Sequence, residues 1–400
     1  MYSRILVALD GSEYALNGGR IALDLAKNLG AEIIVAHVYD AGIHNLRFQE
    51  MEPVLPDRYQ DEAKLTDLRD SHDHLMYEGF SSLSRGYMED YVAAAKTEGV
   101  VVKEVHQEGR NYVTLLDLAR EYRADLAVLG AYGLGKIPGG ILGSTVLRVL
   151  RQASCDVLVV RRRFGRGKMI VGIDGSSEAL SALNKAIVWS RTFEKPLQLA
   201  AVYDPFFHDQ VFKTMADSLS PERQKEVGLA KQEDLHEQIV DDGLGKLYQT
   251  FLEQASEICS KRNVAVQSKL LKGKAYKALA EFSEKEKSDL IVVGRFGQHR
   301  ETLANLGSNS EALVQVSPDN VLVTASDPAF RTAAESDSGP LEWEEDAHRR
   351  LLKLPTFAQG MAKGSVERFV RSQGGGKVRL QDFLDLAEQL GMIERSKKNK

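Results

Sequence analysis

The chain has 400 residues and a net charge of −5, with 43% hydrophobic and 27% charged residues. This length suits two domains and an appendage, and the composition is that of a globular protein rather than a disordered one. The weak acidity gives no reason to expect a nucleic acid or an anionic membrane as a partner. Two cysteines argue against a disulfide framework, and no apolar run reaches the length of a signal peptide or a membrane span. We therefore expect a soluble cytoplasmic protein.

Strands and helices alternate from the start of the chain to Arg162. Short apolar runs predict five strands, at Ile5–Leu9, Ile33–Val38, Val100–Val105, Leu126–Leu129 and Val157–Val160. Helical periodicity predicts helices at Glu13–Leu29, Phe80–Lys96, Asn111–Tyr122 and Ser144–Arg151. Residues 40–79 carry Pro53, Pro56 and many charges, so we expect a loop with some helix there. Strands joined by helices in this order predict a parallel sheet with helices on both faces.

The second half repeats the first at one constant offset in numbering, so that Asp10-Gly11-Ser12 recurs as Asp174-Gly175-Ser176. One register kept through a whole half predicts two copies of one domain, at residues 1–162 and 168–325. A basic stretch, residues 161–168, would link them. The fifth strand of each half is the last element before the chain leaves that domain. We therefore expect Val157–Val160 and Val321–Thr324 to pair or pack together, which would form an intramolecular pseudo-dimer.

A third unit follows the duplicated halves. Residues 326–340 are polar and contain proline, glycine and serine, which predicts a linker. Helices are predicted beyond it at Trp343–Leu354, Phe357–Arg371 and Leu380–Leu390, followed by a basic tail over residues 394–400. A small helical domain of residues 341–393 has little core of its own, so we expect it to dock on a protein partner.

Each half carries a glycine-rich loop between its fourth strand and the helix that follows. The spacing is Gly-x2-Gly-x9-Gly-Ser, with Gly130, Gly133, Gly143 and Ser144 in the first half and Gly294, Gly297, Gly307 and Ser308 in the second. Glycines let an anion approach the backbone, and the first amides of a helix can hold it, so this order predicts a phosphate site. Such glycines also suit a plain turn. The long spacing, an upstream aspartate and the second copy favour the site.

Asp10 and Asp174 end the first strand of each half. Because ligands bind beyond the carboxyl ends of parallel strands, these carboxylates and the glycine loops should lie at the same ligand-binding edge of the sheet. They could accept a hydrogen bond from a ribose hydroxyl, hold a metal ion that bridges phosphates, or cap the following helix. Val38 and Val202 could present their backbone to an adenine edge. Thr145 adds a hydroxyl where the second half has Asn309.

Several other reactive residues are better explained by structural roles. His72-Asp73-His74, with His44, His208 and His236, fit solvated histidines better than a metal site. Cys155 and Cys259 fit core positions, and Arg161–Arg163 with Arg166 fit a solvated linker. There is no Walker lysine motif, and no Ser/His/Asp or Cys/His set has a spacing that suits a nucleophilic site. We therefore expect no enzyme, or at most a slow ATPase or autophosphorylation activity.

The glycine spacing and the strand-ending aspartate resemble those of the universal stress protein family, over residues 1–162 and 168–325. The resemblance implies two doubly wound five-stranded parallel sheets with strand order 3-2-1-4-5, as in the adenine nucleotide alpha hydrolase-like fold. ATP-binding members of that family use the glycine loop for the phosphates. The resemblance thus implies bound ATP, AMP or ADP, with Mg²⁺ reaching Asp10 through Mg-ATP. The implied nucleotide-binding residues are Asp10, Val38, Gly130, Gly133, Gly143, Ser144, Thr145, Asp174, Val202, Gly294, Gly297, Gly307 and Ser308.

Residues 341–393 carry a second resemblance, through Trp343, Ala347, Leu351, Pro355, Phe357 and Val366-Glu367. They resemble the C-terminal region of the B subunit of light-independent protochlorophyllide reductase.

Two functions are compatible with the whole pattern. The first is a nucleotide-dependent stress-response regulator with a helical docking module. The alternative is a non-catalytic assembly factor with empty loops, whose tail docks on a redox or tetrapyrrole-biosynthesis enzyme.

Overall fold

The computed structural model describes most of the residues of the chain. These are residues 2–135, 141–205, 214, 216–229, 243–298, 305–325, 341–353, 362–364, 366–367, 369–370 and 375–389. The predicted linker at 326–340, the tail at 394–400, His208 and His236 lie outside them, as does part of the predicted helix Phe357–Arg371. None of the helices in these ranges combines the length and apolar character needed to cross a lipid bilayer.

Ten strands form one continuous sheet with the order β3-β2-β1-β4-β5-β10-β9-β6-β7-β8. The strands are β1 Arg4–Ala8, β2 Glu32–Tyr39, β3 Val102–Glu108, β4 Leu126–Gly130, β5 Asp156–Val160, β6 Met169–Gly172, β7 Leu197–Tyr203, β8 Val266–Lys272, β9 Leu290–Gly294 and β10 Asn320–Thr324. Each half therefore has the predicted order 3-2-1-4-5, and the second half runs in mirror order from the centre. The doubly wound fold is confirmed.

The two halves join at the centre of the sheet through β5 and β10. These strands are antiparallel, with Leu158 opposite Leu322, whereas all other neighbours in the sheet are parallel. Both strands are completely buried, because each covers the backbone groups that the other would leave exposed at a sheet edge. The expected pairing is confirmed, and it merges the two predicted sheets into one.

Helices cover both faces of the sheet and enclose two apolar cores. In the two halves they are α1 Glu13–Leu29, α2 Ala41–Met51, α3 Glu62–Thr97, α4 Asn111–Glu121, α5 Ser144–Gln152, α6 Ser177–Thr192, α7 Pro221–Glu226, α8 Leu244–Lys261, α9 Ala275–Lys285 and α10 Ser308–Val316. One core lies between the sheet and α1, α3, α6 and α8. The other lies between the sheet and α4, α5, α9 and α10.

The prediction of a loop with some helix over residues 40–79 gives too little helix, because most of this stretch is helical. Asp40 caps α2, and Asp61 caps the 36-residue helix α3 by accepting a hydrogen bond from the Lys64 amide at 3.2 Å. Pro53 and Pro56 are confined to the short connection between these helices, where a missing N–H costs nothing. The charges that suggested a loop lie on a helix whose first half is largely exposed.

The third strand begins two residues later than predicted and extends to Glu108. As the edge strand of the sheet it exposes Lys103, Glu104 and Gln107. These polar residues interrupt the apolar run from which a strand is predicted. Its bounds therefore depend on pairing with β2, where Tyr39 lies opposite Glu108. An edge strand with charged side chains is also protected against further pairing.

The solvated linker that we predicted after β5 is confirmed only in part. Arg161 is buried, with 9% exposure, and donates to the Asp319 carbonyl at 3.3 Å. Arg162 pairs with the carboxylate of Asp319 in the second half. Arg163 and Arg166 are exposed, as expected. Position 161 is buried because the strand junction brings it against the loop that precedes β10.

The C-terminal unit has a small core and a pair of short strands. Strand β11 Glu342–Trp343 pairs in parallel with β12 Lys377–Val378, and the helices are α11 Glu345–Leu352 and α12 Leu380–Gln389. The predicted helical start at Trp343 is therefore wrong, while the predicted third helix is present. The core includes Ala347, Leu351, Val378 and Phe383. Because Trp343 pairs with a strand far along the chain, helical periodicity could not assign it correctly.

Candidate functional site

A cavity opens at the carboxyl ends of the central strands in each half. The first has a volume of about 290 Å³ and the second about 350 Å³. The first is lined by all seven residues predicted for it, which are Asp10, Val38, Gly130, Gly133, Gly143, Ser144 and Thr145. The second is lined by all six of its own, which are Asp174, Val202, Gly294, Gly297, Gly307 and Ser308. The structure thus brings each predicted set together, and the ligand-binding role of these residues stays a prediction.

The strand-ending aspartates do not cap the helices that follow them. In the first half Ser12 is the cap, because its hydroxyl accepts a hydrogen bond from the Ala15 amide at 3.2 Å. Asp10 holds the turn instead, since its Oδ1 accepts from the Ser12 amide at 3.0 Å. The second half repeats both bonds through Ser176 and Asp174. The capping alternative is therefore wrong, because each aspartate holds the turn before the helix and a serine caps the helix.

The glycine loops approach these carboxylates very closely. A Cβ atom on Gly133 would lie 3.0 Å from Oδ2 of Asp10. The equivalent atom on Gly297 would lie 2.8 Å from Oδ2 of Asp174. Real Cβ atoms do not sit comfortably at such distances, so a side chain at either position would displace the carboxylate or the loop. Glycine is therefore the residue that fits where each loop passes the carboxylate.

The other loop glycines have structural tasks of their own. A Cβ atom on Gly130 would meet the Ala15 amide nitrogen at 2.6 Å, and one on Gly294 would meet Cβ of Glu178 at 2.7 Å. Both glycines are thus required where the central strand packs against a helix. The amide of Gly143 donates to the Ala131 carbonyl at 3.0 Å, so it is already used inside the protein.

The first-turn amides of α5 and α10 face the cavities at the start of these helices. Gly143 and Gly307 are the N-caps, and no described side chain caps either helix. The first amides of a helix have no acceptor within the helix. Those of Ser144 and Thr145 in α5, and of Ser308 and Asn309 in α10, are therefore suited to an anion, with the positive end of the helix dipole behind them.

The two cavities differ in polar residues that the sequence analysis did not single out. The first contains His37 and Asn111, where the second has alanine at the equivalent positions 201 and 275. The Nδ1 atom of His37 is buried without a hydrogen-bond partner among the described residues. Burial lowers the pKa of His37, against the attraction of the Asp10 carboxylate. Comparison of the two halves position by position would have identified these differences.

Aromatic side chains line the second cavity. Tyr248 and Tyr276 lie on its wall, and burial raises the pKa of Tyr248 to about 12. Ser84 stands in place of Tyr248 in the first half, and its hydroxyl bonds to Nδ1 of His106 at 2.7 Å. Burial also raises the pKa of Asp174, while hydrogen bonds from Ser176 act in the opposite direction. Gln298 donates to the backbone carbonyl of Asp174, which ties the second loop to the strand end.

The remaining candidates do not assemble into a site. His72 stacks on Phe48 with ring centroids 4.5 Å apart, and His44 lies 5.1 Å from the ring of Phe80. Within the described part of the chain, no three His, Cys, Asp or Glu side chains come together as metal ligands. Cys155 and Cys259 are buried free thiols, as expected of core residues.

The fold and its paired cavities define a tandem α/β protein with one glycine-loop crevice in each half. A model of the universal stress protein family matches residues 1–161 and 165–325, and the chain belongs to that family. These matches bear out the resemblance of both halves. The resemblance of residues 341–393 to a reductase subunit stays a prediction.

Individual proteins are similar to parts of the chain. The universal stress protein Sll1654 of Synechocystis is 29% identical over 160 residues, which is 40% of this chain and 86% of that protein. A putative universal stress protein from Pseudomonas aeruginosa covers 82% of this chain and 95% of its own, at 14% identity and a TM-score of 0.49. A universal stress protein solved in complex with cAMP covers 40% of this chain and 97% of its own, at 26% identity and a TM-score of 0.26.

Proposed function

We propose that the protein is an ATP-binding regulator with one nucleotide site in each half. The observation that carries this proposal is the close approach of a glycine loop to an aspartate, present twice at equivalent positions. A loop that admits no side chain beside a carboxylate suits a ligand whose ribose or metal ion contacts that carboxylate. Membership of the universal stress protein family supports the same assignment.

The phosphates would lie at the start of α5 and α10, against the first-turn amides. Thr145 and Ser144 add two hydroxyls in the first half, and Ser308 adds one in the second. The carboxylates of Asp10 and Asp174 provide hard oxygen ligands, which suit Mg²⁺ that also contacts phosphate oxygens. The adenine would lie towards Val38 or Val202, where apolar residues such as Leu115 and Leu279 line the cavity.

The lining of the cavities favours binding rather than catalysis. Among the described residues that line them there is no lysine, arginine or glutamate. Efficient phosphoryl transfer needs cationic groups that stabilise charge on the moving phosphoryl group and a residue that positions the nucleophile. We therefore propose a regulator that hydrolyses ATP slowly at most. Two buried free thiols suit a reducing cytoplasm, and the C-terminal unit would bind the partner protein.

Isothermal titration calorimetry with ATP and Mg²⁺ tests this proposal. We expect two bound nucleotides per chain and a rise in melting temperature, because a ligand that binds only the folded state stabilises it. ADP, AMP and cAMP in parallel titrations would rank the nucleotides. Neither heat nor a thermal shift with any of the four would contradict the proposal and favour the assembly-factor alternative.

A further inference from the structure

Two buried arginines cross the junction between the halves in opposite directions. Arg295 lies in the glycine loop of the second half, and its guanidinium donates to the Leu150 carbonyl at 2.7 Å and the Cys155 carbonyl at 3.3 Å. Arg161 follows the last strand of the first half. It donates to the carbonyls of Val314 and Asp319 in the second half. The two side chains are 6% and 9% exposed.

The four acceptors form two equivalent pairs. At the constant offset between the halves, Leu150 corresponds to Val314 and Cys155 to Asp319. The two arginines do not correspond to each other, since Arg161 is matched by alanine at 325 and Arg295 by alanine at 131. The same crossed contact is therefore made twice by residues at unrelated positions of the repeat. A simple copy of one ancestral contact would not produce this arrangement.

Each arginine connects the loop of one cavity to the helix of the other. Helix α5 begins at the first cavity and spans only nine residues, and Arg295 from the second glycine loop binds its last turn. Helix α10 begins at the second cavity, and Arg161 binds its last turn. A guanidinium at a helix C-terminus stabilises the helix, because it meets the negative end of the dipole.

Arg161 is in turn connected to the first glycine loop. Its guanidinium carbon lies 6.0 Å from the ring centroid of Tyr132. The carbonyl of Val160, one residue before it, accepts a hydrogen bond from the Ala131 amide at 2.8 Å. Movement of either glycine loop would therefore be transmitted to the last turn of the helix whose first turn lines the other cavity.

We propose that the two nucleotide sites are coupled through Arg161 and Arg295, so that occupation of one site raises the affinity of the other. A ligand that binds one glycine loop holds its arginine in place, and that arginine then holds the last turn of the helix whose first turn forms the other site. This inference rests on the proposed nucleotide binding. By linkage, the effect of each site on the other must be equal.

The direct test compares the full-length protein with Arg161→Met, Arg295→Met and Arg162→Met in calorimetric titrations with Mg-ATP. We expect the second nucleotide to bind the native protein about tenfold more tightly than the first, within the usual range of coupling between sites. Arg161→Met and Arg295→Met should reduce this ratio to about one. Arg162→Met is the matched control, since Arg162 also crosses to the second half but donates to the Ser288 carbonyl and the Asp319 carboxylate rather than to a carbonyl of α10.

Hydrogen–deuterium exchange of the ligand-free proteins gives a readout that does not depend on ATP. Arg295→Met should speed exchange of residues 147–152, at the end of α5, and Arg161→Met that of residues 311–316 in α10. Arg162→Met should leave both segments unchanged. If Arg295→Met fails to fold, Arg295→Lys, which still donates one hydrogen bond to a carbonyl, should show an intermediate effect.

The outcomes separate the two proposals. If no nucleotide binds but the exchange pattern is as expected, the proposed function is contradicted. The connection of each arginine to the last turn of the helix in the other half would still stand. Two independent sites of unchanged affinity in the native protein and in both arginine variants would overturn the coupling and retain the function. Exchange that is unaffected in Arg161→Met and Arg295→Met would also overturn the coupling.

Discussion

Asp10 and Gly133 both line the first cavity, and they lie so close together that a Cβ atom on Gly133 would be 3.0 Å from the Asp10 carboxylate. Asp10 arrives from the first strand and Gly133 from the loop after the fourth, so the contact exists only because these strands are neighbours. The same relationship joins Asp174 and Gly297. This close approach leads to the first prediction.

Gly133→Ala should weaken ATP binding at the first site about tenfold, since overpacking by one methyl group commonly costs about 1–3 kcal/mol. The matched control is Gly135→Ala, because a Cβ atom there meets no atom of the described residues within 4 Å. Calorimetry should show one weakened site in Gly133→Ala and two native sites in Gly135→Ala. Equal losses in the two variants would mean that the carboxylate contact is irrelevant.

Asp174→Asn should stabilise the ligand-free protein at neutral pH. Burial raises the pKa of Asp174 above its value in the unfolded chain, so the folded state binds the proton more tightly. Stability should therefore rise as pH falls through the interval between the two pKa values. Above that interval the buried carboxylate is charged, which lowers the stability of the folded protein. Asparagine avoids this loss because it is neutral, and its side-chain oxygen can still accept the hydrogen bond from the Ser176 amide.

Thermal unfolding at pH 7 and pH 4 checks this prediction. We expect the melting temperature of Asp174→Asn to exceed that of the native protein by about 2–4 °C at pH 7, which corresponds to about 1 kcal/mol for a domain of this size. The difference should shrink at pH 4. A variant that is less stable than the native protein at pH 7 would show that the charged form is favoured by the fold.

Lys185→Met should destabilise the junction between the halves by about 3–5 kcal/mol, the usual cost of leaving a buried charge without its partner. The Asp156 side chain is only 1% exposed, and its carboxylate accepts from Lys185 at 2.5 Å and from Tyr2 at 2.6 Å. Burial raises the pKa of Asp156, and Lys185 acts against this. Urea unfolding measures the loss.

A second ion pair across the junction supplies the comparison. Arg151 pairs with Glu311, but the arginine side chain is 51% exposed, so Arg151→Met should cost at most about 1 kcal/mol. Both variants remove a cation that connects the halves, and they differ in burial. Similar losses in the two variants would indicate that burial of Asp156 is not what makes its pair important.

The two cysteines should be unreactive in the native protein. Burial raises the pKa of Cys155 to about 11 and also raises that of Cys259, so both stay as protonated thiols at neutral pH. The thiolate is the reactive form, and both side chains are buried. Titration with a coloured disulfide reagent should detect no rapidly reacting thiol at pH 8 and two in guanidinium chloride. A fast native phase would contradict this burial.

Much of the fold was predictable because its signals are local and repeated. Buried strands appear as short apolar runs, and the constant offset that relates Asp10 to Asp174 identifies the duplication. The cavity residues were predictable for the same reason, since the spacing of loop glycines and the strand-ending aspartates occur twice. Signals failed where a feature is polar or interrupted, as in α3 and the edge strand β3, because exposed charges hide the periodicity.

The sequence by itself determined the duplication, the alternation of strands and helices, and which residues gather at each cavity. Only the tertiary structure decided that β5 and β10 pair antiparallel, that Ser12 rather than Asp10 caps α1, and that Arg161 is buried. It also decided that Arg295 reaches a helix of the other half. These features depend on contacts between residues that are often far apart in the chain, and no local pattern records which distant group a side chain will meet.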